Sequence, residues 1–90
     1  MRSVNQTSQF KKDVKRIIKR GWNTPKLKVV IRLLENAEKL PASNKDHKLK
    51  GTYKDCRECD IEPDWLLIYR IDGSDLWLIR TGSHSDLFSE

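Results

Sequence analysis

Two histidines and three carboxylates in the second half of the chain are of types that could perform acid–base chemistry. His47 lies in a polar segment, His84 lies in the C-terminal tail, and Glu58, Asp60 and Asp64 lie between them. Because histidine titrates near neutral pH, it can give or take a proton under cellular conditions. Basic residues of the kind that hold phosphate groups occur in the same segments, namely Lys48, Lys50, Arg57 and Arg80. The combination favours acid–base catalysis on a phosphodiester, with two ordinary surface histidines as the alternative.

The tail from Arg80 to Phe88 places a cation, a glycine, a histidine and an aromatic ring directly after an apolar run. If this run is a strand that continues into the tail, alternate residues share one face, namely Leu76, Leu78, Arg80, Gly82 and His84. Arg80 and His84 would then flank Gly82. This pattern predicts an open position between a fixed positive charge and a titratable ring.

The positive charge of the chain is concentrated at its N-terminal end. Residues 1–28 contain nine Lys/Arg and one acid, whereas residues 29–90 contain nine Lys/Arg and twelve acids. This asymmetry favours a polyanionic partner that binds the basic region, with the chemistry placed in the other region. Lys12, Arg16 and Arg20 of the first helix are the candidate contacts to RNA. A solvated basic helix without a partner is the alternative.

The N-terminal half predicts two amphipathic helices. Ser8 is the expected N-cap of the first, and Gly21 is expected to end it; its apolar face is Phe10, Val14, Ile17 and Ile18. Thr24-Pro25 begins the second helix with a cap and an N-terminal proline. Its buried stripe is expected to be Leu27, Val30, Ile31, Leu34 and Ala37. The two helices form an αα-hairpin whose single apolar side is suited to packing on a sheet.

The second half predicts a long loop followed by three strands. Residues 41–53 have little apolar periodicity and are expected to form the loop. Strands are expected over 57–62, 65–71 and 76–83, separated by the turns Glu62-Pro63-Asp64 and Asp72-Gly73-Ser74. Arg2 to Thr7 could form a short edge strand. The predicted fold is a single α+β domain over residues 1–90, with two N-terminal helices on one face of a small, mainly antiparallel sheet.

Metal and nucleotide cofactors are not expected. Cys56 and Cys59 have CxxC spacing, but zinc needs four ligands, and i and i+3 on a strand point to opposite faces. His47, Asp60 and His84 could bind a metal instead, but their basic surroundings disfavour a cation. The sequence contains no glycine-rich phosphate loop.

The cellular compartment is expected to be the cytoplasm. No apolar run approaches the length of a membrane span, and the N-terminus has no signal-peptide core. Two cysteines fit a reducing compartment.

Four blocks of the sequence carry a family resemblance. They are SQFKKDVK at 8–15, DHKLKG at 46–51, RECDIEPDWLLIY at 57–69 and RTGSHSDLF at 80–88. Together they resemble the YafQ branch of the RelE-type toxins, which are the toxin halves of bacterial type II toxin–antitoxin pairs. The likeness covers nearly the whole chain in the same order and with similar spacing.

The resemblance implies a RelE-like fold and a ribosome-dependent endoribonuclease that cuts mRNA codons in the ribosomal A site. It implies a metal-independent reaction in which the ribose 2′-hydroxyl attacks the adjacent phosphate and expels the 5′-oxygen. The implied partners are a cognate antitoxin, the ribosome and mRNA, with operator DNA bound only through the antitoxin and no membrane partner.

The catalytic positions of the family pattern fall on His47, Asp64 and His84, and its terminal aromatic falls on Phe88. We expect His84 to be the general acid, and His47 and Asp64 to place or deprotonate the nucleophile. Phosphate is expected to contact Lys48, Lys50, Arg57 and Arg80. Phe88 is suited to stacking on a base.

Asp60 departs from the family pattern, which usually has histidine at this catalytic position. An ordinary aspartate titrates near pH 4, against about 6.5 for histidine, so it is a poorer general base at neutral pH. This substitution predicts weaker cleavage. It also leaves open two other functions: a catalytically weak toxin homologue that mainly binds its antitoxin as part of an autorepressor, and a basic RNA-binding module.

Overall fold

The computed structural model describes residues 1–88, which form one five-stranded sheet with helices on both of its faces. The elements in chain order are β1 (Ser3–Gln6), α1 (Ser8–Lys19), α2 (Thr24–Glu35), β2 (His47–Lys48), β3 (Arg57–Glu62), β4 (Trp65–Asp72), β5 (Asp75–Gly82) and α3 (His84–Phe88). The strand order is β1-β5-β4-β3-β2. β1 is parallel to β5, and the other three strand pairs are antiparallel. The predicted α+β fold is confirmed.

The first helix begins one residue earlier than predicted. Thr7, not Ser8, is the N-cap, since its hydroxyl accepts a hydrogen bond of 2.9 Å from the backbone N–H of Phe10. The helix ends as predicted, because Gly21 has a φ of 74°, which favours glycine.

The buried face of α1 is rotated relative to the prediction. Phe10 and Ile17 are buried as expected, but Ile18 is 58% exposed. Asp13, the one acid of the helix, is fully buried instead. A carboxylate therefore occupies a place in the core that the apolar periodicity could not indicate.

α1 and α2 pack on the same face of the sheet, which we call the helical face. Its core contains side chains of α1, α2, β3, β4 and β5, the largest of which are Phe10, Ile17, Leu27, Leu34, Ile61, Trp65, Leu67, Tyr69, Leu76 and Leu78. In the predicted stripe of α2, Leu27, Val30 and Leu34 are buried, whereas Ala37 lies beyond the helix and is exposed. β4 lies in the centre of the sheet and is buried on both faces from Trp65 to Tyr69.

The opposite face of the sheet, which we call the distal face, has the smaller apolar core among the described residues. A smaller apolar cluster lies there, made of Leu66, Ile68 and Leu87 with Leu49, Tyr53, Cys56 and Ile79 packed against it. Part of this cluster comes from the segment 41–53, which was predicted to be a loop. The segment contains two short 3₁₀ turns and β2, whose two residues pair with β3 at the edge of the sheet.

The predicted alternation through the tail is wrong. A β-bulge in β5 shifts the register, so that Tyr69 pairs with Leu78 while Ile68 pairs with Arg80. Arg80 therefore does not share the face of Leu76 and Leu78. β5 ends at Gly82, and His84 begins α3 instead of continuing the strand.

Candidate active site

His84 and Asp64 form a directly bonded pair at one end of the sheet. The ring Nδ1 of His84 lies 2.6 Å from Oδ1 of Asp64, and the backbone N–H of His84 donates to the same oxygen at 2.9 Å. The side chains are 63% and 65% exposed. Because the ionised carboxylate of Asp64 can only accept a hydrogen bond, Nδ1 of His84 carries the proton and donates it to this bond. Nε2, the other ring nitrogen, is directed away from Asp64. The pair presents one imidazole nitrogen to a ligand.

The topology explains why these two residues meet. Asp64 is in the tight turn between β3 and β4, where its φ of 59° lies in the left-handed region. Leu66, two residues later, pairs with Gly82, two residues before His84. Hydrogen bonds from the backbone and the ring of His84 lower the pKa of Asp64, so its carboxyl is ionised at neutral pH.

Phe88 lies on the same short helix as His84, one turn later. Its ring centroid is 6.4 Å from that of His84 and 6.1 Å from that of Tyr53, which it meets edge to face. Phe88 is nevertheless 43% exposed. The Phe88 ring therefore lies against two other rings and still has free surface.

His47 lies at the far edge of the distal face and is paired with Glu58 across β2 and β3. Its Nδ1 is 2.7 Å from the carbonyl oxygen of Lys45, and its Nε2 is 3.3 Å from Oε1 of Glu58. The side chain of Glu58 is 8% exposed, and its second oxygen, Oε2, is buried without a hydrogen-bond partner in the described residues. Both ring nitrogens of His47 thus face oxygen acceptors. Glu58 was among the titratable candidates of the sequence but not among the predicted site residues.

Asp60 lies between the two histidines on the distal face. It pairs with Leu66, whose side chain belongs to the distal cluster. Its carbonyl oxygen accepts a hydrogen bond of 2.7 Å from the side chain of Asn44, which anchors the preceding segment to β3. Asp60 also lines a cavity of about 270 Å³.

The cross-strand register places three of the predicted site residues, His47, Asp60 and Arg80, in two adjacent rows. One row runs His47, Glu58, Ile68, Arg80, and the next runs Asp60, Leu66, Gly82. Neighbouring strands are about 4.8 Å apart, so the first row spans about 14 Å. The structure brings Asp64 to His84 and not to His47, which differs from the expectation that Asp64 acts on the nucleophile side.

Arg80 is held by a carboxylate instead of being free. Its Nε and Nη2 donate to Asp13 at 2.7 and 3.2 Å. Hydrogen bonding to Asp13 raises the pKa of Arg80. Asp13 also accepts from the backbone N–H of Thr81 at 3.1 Å. Arg80 therefore lies in the first row with its orientation set from α1.

Arg57 is separated from the site by the sheet. It pairs with Tyr69, which packs on the helical face. Its guanidinium donates to Asp46 at 3.1 to 3.3 Å, and the Tyr69 hydroxyl donates to the same carboxylate at 2.5 Å. Hydrogen bonding to Asp46 raises the pKa of Arg57. Lys48 pairs with Arg57 and not with the row of His47.

The basic side chains of α1 divide into two groups. Arg20 donates two hydrogen bonds to Asp86 on α3, at 2.6 and 3.0 Å, and Arg16 lies 3.7 Å from both Asp13 and Asp86. Lys12, in contrast, is exposed and has no ion pair among the described residues, as is also true of Lys48 and Lys50 in the segment after α2.

Three carboxylates that engage these arginines were not among the predicted site residues. Asp13, Asp46 and Asp86 each hold one or more of the cations predicted to bind RNA. Asp13 could have been found, because it is the one acid among residues 1–28. The other two carry no signal, since their partners are 11 and 66 residues away in the chain.

No cluster of three metal-ligating side chains occurs in residues 1–88. Cys59 lies in the core of the helical face and Cys56 beside the distal cluster, so the CxxC pair is split across the sheet as predicted. Burial raises the pKa of Cys59 to about 12. Across the same residues, no helix combines the length and apolarity needed to cross a bilayer.

Comparison with known proteins places the chain in a family. The family described as "Bacterial toxin of type II toxin-antitoxin system, YafQ" matches residues 2–89. The mRNA interferase toxin YafQ of Escherichia coli K12 is 43% identical over 88 residues, which cover 97% of this chain and 96% of that protein. The crystal structure of the E. coli DinJ-YafQ complex matches with a TM-score of 0.90 at 43% identity, over 98% of this chain and 99% of that chain. A copper-bound mutant toxin from Helicobacter pylori matches with a TM-score of 0.93 at 40% identity, over 98% of this chain and 100% of that chain. The chain belongs to the YafQ family of bacterial toxins, as its sequence blocks predicted.

Proposed function

We propose that this protein is an mRNA interferase, a ribosome-dependent endoribonuclease that forms the toxin half of a type II toxin–antitoxin pair. The observation that carries the proposal is the exposed Asp64–His84 pair, whose 2.6 Å contact leaves Nε2 of the ring available to a ligand. The mRNA interferase activity of the E. coli relative supports the same reaction class.

In the proposed reaction, the ribose 2′-oxygen forms a bond to the adjacent phosphorus while the bond from phosphorus to the 5′-oxygen breaks. A base takes the proton of the 2′-hydroxyl, and His84 gives a proton from Nε2 to the leaving 5′-oxygen. The products are a 2′,3′-cyclic phosphate and a 5′-hydroxyl. Asp64 holds the His84 ring through Nδ1, and Arg80 faces the negative charge that develops on the phosphorane. Proton transfer is assigned to side chains throughout, without a metal ion.

The nucleophile side of the proposed site comprises His47 and Asp60. His47 is oriented by the carbonyl of Lys45 and the carboxylate of Glu58, so its ring is held at the edge of the distal face. Asp60 lies in the row between this edge and Gly82. In this arrangement Asp60 accepts the proton of the 2′-hydroxyl, and His47 positions the ribose.

RNA binding is assigned to exposed cations and to Phe88. Lys12 on α1, and Lys48 and Lys50 in the segment between α2 and β3, are exposed, have no carboxylate partner among the described residues and can meet phosphates directly. Phe88 has free ring surface on which a base can stack beside His84. Replacing Lys12 by glutamate should weaken association with ribosomes and reduce its dependence on salt concentration. An unchanged salt dependence would remove α1 from the binding surface.

The proposed partners are an antitoxin, the ribosome and mRNA, with operator DNA reached only through the antitoxin. The solved complex of E. coli YafQ with DinJ supports an antitoxin partner for this chain. The proposed compartment is the cytoplasm, where ribosomes and mRNA are found.

The test is mRNA cleavage on programmed ribosomes by the native protein and by His84→Ala. Cleavage at codons in the A site that the substitution abolishes would support the enzyme. Asp72→Asn is the control, because Asp72 is exposed at the opposite end of β4 and should leave cleavage unchanged. If neither the native protein nor Asp60→His cleaves mRNA while both bind an antitoxin, the binding function replaces the enzymatic one.

Asp60 is proposed to limit the rate. We expect Asp60→His to cleave faster than the native protein at neutral pH, since an imidazole is the better base there. The cavity of about 270 Å³ beside residue 60 offers space for the larger ring. Equal or slower cleavage by Asp60→His would show that residue 60 is not the base.

A further inference from the structure

We propose that Arg20 and Asp86 form a positioning pair that fixes both halves of the Asp64–His84 pair relative to each other. This inference rests on the proposed catalytic role of His84. Asp86 lies on α3, two residues after His84, and receives both arms of the Arg20 guanidinium at 2.6 and 3.0 Å. Arg16 approaches the same carboxylate at 3.7 Å. The short helix that bears His84 is thereby tied to the end of α1.

Arg20 is also connected to the segment of Asp64. Its guanidinium lies 5.3 Å from the ring centroid of Trp22, a cation–π contact. Trp22 in turn packs on Trp65, with centroids 5.1 Å apart. Trp65 follows Asp64 directly in the chain, and it is fixed by a hydrogen bond of 2.9 Å from its indole to Thr81. One guanidinium therefore contacts the supports of both catalytic partners.

The connection from Asp86 to His84 is short and stiff. The Asp86 carboxylate accepts from the backbone N–H of Ser83 at 2.9 Å, and the Asp86 N–H donates to the Ser83 hydroxyl at 3.1 Å. A Cβ placed on Gly82 would lie 2.8 Å from Oδ2 of Asp86 and 2.9 Å from its Cβ. The backbone at the end of β5 is thus in close contact with the Asp86 side chain. A displacement of this side chain would therefore move the backbone that precedes His84.

This geometry changes the role expected for Arg20. Arg20 was predicted to contact RNA, but its donors are directed at Asp86 and its guanidinium carbon lies over the ring of Trp22. A phosphate contact needs only a positive charge, which lysine also supplies, whereas a bidentate contact that also packs on an aromatic ring requires the arginine fork. Arg20→Lys and Arg20→Ala therefore separate the two roles.

The experiment compares the native protein with Arg20→Lys, Arg20→Ala, Asp86→Asn and the double variant Arg20→Ala/Asp86→Asn in ribosome-programmed cleavage. We expect kcat to fall about 10- to 100-fold in each, with KM within about twofold, because a small misplacement of a catalytic group lowers the rate of the chemical step. The double variant should be no slower than the slower single variant, since both remove one interaction. Hydrogen exchange at the His84 amide, which donates to Asp64, should accelerate in all four.

Arg32→Ala and Asp72→Asn are matched controls, since both residues are exposed and lie away from α3. The positioning role would be overturned if Arg20→Ala raised KM and Arg20→Lys returned it to the native value. It would also be overturned if the losses of kcat in the double variant were additive. Slower cleavage without faster exchange at the His84 amide would overturn it as well. Arg20→Lys is the mildest change and remains informative if the other variants unfold. His84→Ala is measured in parallel: if it retains activity, the proposed site is wrong and this inference falls with it; if it is inactive while Asp86→Asn is fully active, this inference alone is wrong.

Discussion

Replacing Asp13 by alanine should lower the free energy of unfolding by about 3–5 kcal/mol, the usual result of removing one partner of a buried ion pair. Asp13 is fully buried and accepts from two guanidinium nitrogens of Arg80 and from the N–H of Thr81. The orphaned Thr81 N–H alone contributes about 1–3 kcal/mol of that loss. With a urea m-value of about 1.5 kcal/mol per molar, the unfolding midpoint should fall by about 2–3 M. Chemical denaturation followed by tryptophan fluorescence measures it.

Two comparisons make the Asp13 prediction specific. Asp13→Asn keeps one oxygen that can accept from Thr81 but loses the charge facing Arg80, and should cost about 1.5–3 kcal/mol. In a double-mutant cycle, Asp13→Ala with Arg80→Ala should lose less than the sum of the single variants, with a coupling of at least about 1 kcal/mol. A loss below about 1 kcal/mol for Asp13→Ala would refute the assignment of Asp13 as a structural acceptor.

Three further changes test the surroundings of the site. The Arg20 guanidinium holds the pKa of Asp86 below its usual range, so the stability that Asp86 contributes is present above about pH 4 and is lost as the pH falls further. In urea titrations, the difference in unfolding free energy between the native protein and Asp86→Asn should therefore be constant from pH 7 to 5 and should shrink below pH 4. Thr81→Val removes the hydroxyl that joins a buried indole N–H to a backbone carbonyl and should cost about 1–3 kcal/mol in the same assay. Gly82→Ala should lower both stability and cleavage, because its Cβ would collide with Asp86, whereas Gly73→Ala, which has open space but a φ of 61°, should lower stability by about 1 kcal/mol and leave cleavage unchanged.

The helices and the three long strands could be predicted because each has a hydrophobic period or, in β4, a continuous apolar run, together with recognisable ends. Gly21 and the turn at Asp72-Gly73-Ser74 act locally, so their effect is visible in sequence. β2 was not predictable, since its two polar residues become a strand only by pairing with β3. The bulge in β5 was equally hidden. The sequence around Ile79 and Arg80 looks like that of an ordinary alternating strand, and only the pairing with β4 shows that the register shifts there.

The candidate site residues could be named from their types, but their pairings could not. His47, Asp64 and His84 lie on the distal face or at its end, and Asp64 meets His84 because the β3–β4 turn and the end of β5 are neighbours in the sheet. The spacing of these residues in the sequence does not indicate that they are close in space. The same limit applies to the arginines. Arg57 and Arg20 look available in the sequence, yet each has a carboxylate partner brought to it by the fold.

The position of α1 relative to the proposed site follows from how the backbone hydrogen bonds at the outer edge of β5 are satisfied. β1 covers β5 only as far as Leu78, so within residues 1–88 the backbone of the last residues of β5 has no strand partner on that side. α1 supplies the missing hydrogen bonds: the Thr7 hydroxyl donates to the carbonyl of Ile79 at 2.8 Å, and Asp13 accepts from Thr81 at 3.1 Å. The strand that leads into His84 is therefore bonded to the helix that carries Lys12. A polyanion bound along α1, as proposed above, would meet the Asp64–His84 pair in a fixed register, because the same hydrogen bonds that satisfy the sheet edge connect α1 to the strand that precedes His84.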